Sequence, residues 1–457
     1  MSRSLFLVIA WGLLSVSPSW ALWEAGAARV DITPEAAVML SGYASRTEPF
    51  EKVLQPLQAS ALALRWFEDP VQVLVTVDNC AVPASLRERV LDRLEKAGHK
   101  LEDTQLALHS SHTHCAPMLR DALPMMYGRR LTPEEQAGVD AYTALLEERL
   151  VQVVEQALAE MAPAKLAWEQ GKVSFANNRR ENKGGEIVLG SAPKGPTDHA
   201  LPVLRVTDAG GRVKALYCSY ACHCTTLALN AIHGDWAGSA RQRLQAAYPE
   251  AVALVAIGCG GDQNPNPRRE LEYVEAHGNS LAKEVQRVAS GTMKELAGPI
   301  FTGAAVAELP FVPREAAEWE ELTRSTNRYE AFRAEHFAAL LKQGEPIPAA
   351  LRYPVQAWAF GGGLLMLQLP GEVVVDYGLR FKKHYGPEVT WVNGYTNGVP
   401  CYIASQRLLG EGGYEVDSSM RYYGQPNRFA DGVEERIARA VEDAIPASWR
   451  EQRAKSK

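Results

Sequence analysis

The sequence has no cluster of basic residues, no low-complexity tract and no internal repeat. Its Lys and Arg are dispersed along a chain of formal net charge −6, so an electrostatic footprint for nucleic acid is missing. After the N-terminus no segment approaches the ~20 consecutive apolar residues that a membrane-spanning helix requires. The glycine turn Gly258-Cys-Gly-Gly-Asp262 is followed by no Gly-Lys-Ser/Thr, so it is not a P-loop. The seven cysteines, Cys80, Cys115, Cys218, Cys222, Cys224, Cys259 and Cys401, form no C-x2-C pair and therefore no zinc ribbon. Their odd number leaves at least one thiol unpaired. Small buried residues are the simplest role for them. Five of the seven lie beside the motifs described below, so a disulfide bracing the site is a further expectation.

What is present begins with a secretory signature. Arg3 supplies a short positive region, Leu5 to Val16 is apolar, and Ser19-Trp20-Ala21 resembles a small-x-small cleavage site. The expectation is a signal peptide over residues 1–21 and one catalytic domain over 22–457, secreted or periplasmic. An uncleaved N-terminal anchor is the alternative. With 457 residues, 46% of them hydrophobic, the chain can bury a large core.

Short apolar runs alternate with longer helical patterns, which predicts an α/β (α+β) fold of mixed sheets flanked by helices in layers. Strands are expected at, among others, residues 59–66, 72–77, 105–109, 213–220 and 251–257. Helices are expected at 85–96, 133–161, 237–247, 270–290, 316–341, 372–385 and 428–444. Thr132-Pro133-Glu134-Glu135 supplies an N-cap, a proline at the first helical position and an acidic first turn. Two long polar stretches, 177–199 and 409–427, are the candidate functional loops.

Several short motifs carry chemistry. His109-Ser-Ser-His112-Thr-His114 ends a strand, and on extended chain His112 and His114 project to the same side. Imidazole is the commonest ligand of zinc-like metals, although a single buried histidine is as often structural. His223 follows the apolar run 213–220, and Asp235 either caps a helix or orients a ligand histidine. Asp262 and Asn264 lie in the Gly/Asn/Pro turn after 251–257. Glu372, in Leu369-Pro-Gly-Glu372, is read as opening a helix directly after a strand, where a cap is the plain explanation. Tyr402 and Tyr414 lie in loops, and nothing in their spacing alone makes either a ligand.

In this combination and order the motifs resemble the neutral/alkaline ceramidase family, zinc-dependent hydrolases of the amide in N-acyl sphingosines. The resemblance runs from Val30-Asp-Ile-Thr-Pro34 and Ser41-Gly-Tyr43 through His112-Thr-His114, Asn178-Arg179, His223, Gly234-Asp235 and Gly261-Asp262. It continues to Pro370-Gly-Glu372, Asn397, Tyr402 and Tyr414-Glu415. It implies one zinc ion held by His112, His223, Glu372 and Tyr402. It further implies active-site roles for His114, Arg179 and Tyr414: oxyanion stabilisation or proton transfer by His114 or Tyr414, and grip on a polar substrate group by Arg179. The expected reaction is attack of zinc-activated water on the carbonyl of a small-molecule or lipid-like N-acyl substrate.

The chain departs from that family in two ways. Asn264 stands where family members carry a serine, which excludes a covalent serine route and leaves Asn264 as a hydrogen-bonding group. The chain also ends soon after the helical pattern 428–444, without the immunoglobulin-like domain of the family's ceramidases. Ceramide itself is therefore doubtful as substrate. The alternative reading is a non-catalytic binding protein that retains fold and metal site. A third is a cysteine-dependent hydrolase using Cys115 or Cys259.

Overall fold

The computed structural model describes residues 23–455. The expected signal peptide lies outside the described residues. Two sheets stack face to face. The larger has nine strands, in spatial order Val252–Ile257, Val213–Tyr220, Ala200–Asp208, Ala162–Lys172, Trp23–Asp31, Gln58–Trp66, Gln72–Val77 and Leu106–Ser110, with Lys294–Leu296 added beside Ala162–Lys172. The smaller runs Ile300–Pro310, Ala350–Phe360, Leu364–Gln368, Thr390–Asn393. Most neighbours are antiparallel. Gln72–Val77 with Leu106–Ser110, Val213–Tyr220 with Val252–Ile257, and Leu364–Gln368 with Thr390–Asn393 are parallel.

Both faces of the larger sheet are covered, so its strands read as unbroken apolar runs. Leu62 and Leu64 face the smaller sheet together with Trp168, Tyr217, Trp358, Phe360 and Trp391. Ala59, Ala61 and Ala63 of the same strand face the opposite layer. There the helices Ala84–Lys96, Pro133–Ala159, Asp235–Ala247 and Leu271–Ser290 pack, and Val375–Tyr385 and Val433–Ala444 cover the outer side of the smaller sheet. The result is a helix–sheet–sheet–helix stack, in keeping with the layered α/β expectation. Among the described residues no helix is long and apolar enough to cross a membrane.

Three expectations need correction. The pattern 316–341 is two helices, Ala316–Leu322 and Arg328–Lys342, because the Asn327 side chain accepts from the amides of Tyr329 and Glu330 and starts the second afresh. Glu372 does not open a helix: Glu372–Val373 is a two-residue strand, and the helix begins at Val375. All seven cysteines are buried and unpaired, so no disulfide braces the site. Burial also pushes the Cys115 thiol up to about 12 and raises Cys259, which disposes of either as a ready nucleophile.

The topology gathers strand ends. His112 follows Leu106–Ser110, His223 follows Val213–Tyr220, Gly260 follows Val252–Ile257, and Glu372 follows Leu364–Gln368. All lie beyond carboxyl ends of parallel-paired strands, where open α/β sheets place their sites. Isolated bridges, His109 to Thr396 and Gly258 to Asn393, tie the two sheets together at that edge.

Candidate metal centre

His112 and His223 are fully buried and each is aimed by a backbone carbonyl. His112 Nδ1 lies 2.7 Å from the Cys80 oxygen, and His223 Nδ1 lies 2.7 Å from the Gly260 oxygen. A carbonyl only accepts, so each Nδ1 carries the hydrogen and each Nε2 presents a lone pair. Those two Nε2 atoms stand 3.2 and 2.9 Å from Glu372 Oε2. Glu372 Oε1 accepts from the Tyr423 hydroxyl, whereas Oε2 is buried with no hydrogen-bond donor. Two imidazole nitrogens and a carboxylate oxygen thus converge, in a group whose ligand atoms all lie within 4.8 Å.

The electrostatics show how strongly the cluster seeks positive charge. Burial opposes charging His112, yet Glu372 and Cys80 outweigh it and raise its pKa to about 10. Burial and the Arg179 guanidinium instead hold His223 at about 4. Burial alone would raise Glu372, but His112 and His223 hold it well below the usual carboxylate range. The cluster therefore draws in one positive charge, and a shared divalent cation satisfies all three acceptors where a proton satisfies one. Two imidazoles and a carboxylate are a donor set suited to zinc. The residues fit the metal.

Tyr402 stands beside Glu372 because Glu372–Val373 and Tyr402–Ile403 pair in parallel, Glu372 opposite Tyr402. Its hydroxyl lies 3.2 Å from His223 Nε2 and accepts from Arg179 Nη2 at 3.0 Å. Burial pushes this phenol well above its ordinary value while Arg179 pulls it back.

His114 also arrives at the cluster, Nε2 to His112 Nε2 at 3.0 Å. It does so through a turn, with His112 in the left-handed region at φ +58, and not along extended chain as the motif suggested. Its Nδ1 is buried without a partner, and burial followed by the neighbouring imidazoles keeps it neutral. Tyr414 stands edge-on to Tyr402, ring centroids 5.5 Å apart.

Arg179 is committed inside the protein. Nε donates to Glu415 at 2.8 Å, Nη2 to Tyr402, and Nη1 lies 3.2 Å from His223 Nε2 and 3.5 Å from Asn264 Oδ1. Glu415 also takes Arg180 at 2.5 Å. Asn264 Oδ1 further accepts from Thr225 at 3.2 Å. Neither Arg179 nor Asn264 lines the cavity that opens on the cluster. That cavity, about 160 Å³, is lined by Tyr43, Cys80, His112, His114, Leu123, Met126, Glu372, Tyr402, Tyr414, Tyr422 and Tyr423 with Gly42 and Ala44. Larger grooves, about 820 and 910 Å³, touch none of the cluster residues.

Four contributors were not singled out from sequence. The Cys80 and Gly260 carbonyls, the Tyr423 hydroxyl, and Tyr395, whose ring lies 4.5 Å from His112, complete the surroundings. Tyr423 falls in the polar stretch 409–427, the one signal that pointed to it. Asp235 does not orient His223. Its oxygens accept from the Leu227 and Trp236 amides, and the Gly260 carbonyl does the orienting.

The chain matches the family described as "Neutral/alkaline non-lysosomal ceramidase, N-terminal" over residues 23–267. That span contains His112, His114, Arg179, His223 and Asn264, and stops short of Glu372, Tyr402 and Tyr414. No curated protein matches. Among solved structures, a neutral ceramidase from Pseudomonas aeruginosa is similar in fold, with TM-score 0.72 and 18% identity over 95% of this chain and 75% of that one. A structure described as "Ceramidase complexed with C2" gives 0.70 and 17%, with the same coverage.

Proposed function

The chain belongs to the neutral/alkaline non-lysosomal ceramidase family, a family of hydrolases, and on that premise we propose that it is an exported zinc-dependent hydrolase of a carboxamide. One observation carries the metal part: the His112 and His223 Nε2 atoms, each turned inward by a carbonyl at Nδ1, converge on the buried Glu372 Oε2 at 3.2 and 2.9 Å. Tyr402, across the strand pair from Glu372, would be the fourth ligand. When bound, zinc would polarise the scissile carbonyl and acidify a water.

The chain's own residues supply the rest. Cys80 and Gly260 carbonyls and the Tyr423 hydroxyl fix the donor atoms in place before any substrate arrives. Arg179, anchored by Glu415, donates to the Tyr402 hydroxyl and so favours its anionic form. Neutral His114 offers the group to take and return a proton at the cavity wall. The Tyr414 hydroxyl, kept protonated by burial, is the donor toward a developing oxyanion. Asn264 accepts from Thr225 and Arg179 and acts as a positioning residue. A cavity of about 160 Å³ suits a compact acyl group better than the two hydrocarbon chains of a ceramide.

The test is hydrolysis of a panel of N-acyl amines, N-acyl amino acids and ceramides by the purified protein. Turnover abolished by a chelator and restored by zinc is expected. Zinc binding without turnover of any amide would favour the non-catalytic alternative that Asn264 suggests.

A further inference from the structure

Tyr43 lines the cavity with its ring 4.9 Å from that of His114, and three guanidinium groups gather around it. Arg46 and Arg269 place Cζ 5.0 and 5.9 Å from the ring centroid, and the charge of Arg268 acts on the Tyr43 phenol. Arg46 is fully occupied, donating to the backbone oxygens of Ser41, His114 and Leu229. Arg268 and Arg269 are not. Among the described residues no carboxylate pairs with either, and the buried Arg268 Nε has no hydrogen-bond partner. Asp235, the carboxylate that acts on Tyr43, spends both oxygens on backbone amides.

Arg268 is half-buried and Arg269 exposed, so solvent reaches both while they share Tyr43 with the cavity. They follow Asn264 on the same loop, and Arg269 meets the cavity wall at Tyr43. Burial, Arg269 and Arg179 all act against the charge on Arg268, with only Tyr43 to offset them. Adjacent cations without a counterion, beside a reaction cavity, form a receptor for an anion. The cavity behind them is smaller than the ~300–1,000 Å³ usual for drug-sized ligands, so the rest of such a ligand is compact.

Resting on the hydrolase reading above, we propose that the substrate is a compact amide bearing an anionic group, held by Arg268 and Arg269 beside Tyr43. A carboxylate, as in an N-acyl amino acid, and a phosphate share that chemistry.

The test compares N-butanoylglycine, its neutral isostere N-butanoylglycinamide and N-butanoylethanolamine phosphate on the zinc-loaded enzyme. The anionic substrates are expected to exceed the glycinamide in kcat/KM by about tenfold or more at low salt, mainly through KM. Whichever anion leads identifies the group. In Arg268→Gln/Arg269→Gln the preference should fall to about unity, and each single variant should show part of the loss. Equal or better hydrolysis of the glycinamide by the unsubstituted enzyme overturns the proposal and leaves the hydrolase reading intact. If none of the three is hydrolysed, calorimetric binding of the same compounds decides. Preferential binding of the anions upholds the arginine site while the hydrolase reading fails, and equal binding overturns the arginine site.

Discussion

His109 and His112 stand on one short segment, both buried, in opposite company. His109 lies within the strand Leu106–Ser110, where Thr396 Oγ1 stands 2.9 Å from Nδ1 and the Tyr217 hydroxyl 3.4 Å from Nε2. The Thr396 hydroxyl donates to the Gly394 oxygen, so it accepts from His109 Nδ1, and Tyr217 donates to Nε2. Every lone pair there meets a hydrogen, and burial lowers the pKa to about 3. His112, just past the strand end, faces another imidazole lone pair and a carboxylate. The lesson is that burial alone does not mark a candidate metal ligand; imidazoles converging on a shared carboxylate do.

Replacing Glu372 should have the largest effect. Glu372→Ala removes the charge that both imidazoles face, and hydrolysis should fall on the order of a thousandfold with loss of bound zinc. Retention of metal in that variant would break the distinction between the two histidines. Next comes His109→Ala, which leaves a cavity between the sheets. It should lower stability by about 2–4 kcal/mol in denaturant unfolding while zinc content stays unchanged. Tyr423→Phe should be milder, weakening zinc affinity about 10–100-fold in a chelator competition, since Glu372 keeps its place but loses its anchoring donor.

The last effect is acid sensitivity. His109 titrates near 3 when folded and near ~6.5 when unfolded, so between those values the unfolded chain binds more protons. Its contribution to stability is thus present above pH ~6.5 and lost as pH falls toward 3, by up to about 1.4 kcal/mol per pH unit. Melting of His109→Gln should show a shallower slope in that window. An unchanged slope would mean that other groups carry the acid response.

Much of this was legible in the sequence, for physical reasons. Strands 72–77 and 213–220 appear with the bounds expected because burial on both faces makes them continuous apolar runs between polar ends. The residues proposed to hold the metal were named through the family resemblance, and their order along the chain follows the order of strand ends. What stayed hidden depends on contacts without a local pattern. The strand Glu372–Val373 is too short to have a period, so its carboxylate read as a helix opener. Tyr423 reaches Glu372 only because a polar loop folds back over the cavity. The two carbonyls that set the tautomers belong to Cys80 and Gly260, and a backbone oxygen has no sequence signature. Arg179 looked free to hold a substrate, and only the folded chain reveals Glu415 and Tyr402 already occupying it.

The central claim is that the acceptor cluster, and not the neighbouring buried histidine, holds a metal ion. Zinc content of the purified protein, measured by mass spectrometry for the unsubstituted chain, His109→Gln and His112→Gln, tests it most directly. One zinc per chain in the first two and none in His112→Gln is the predicted result. A metal-free unsubstituted protein after equilibration with zinc, or full zinc content in His112→Gln, would contradict the account.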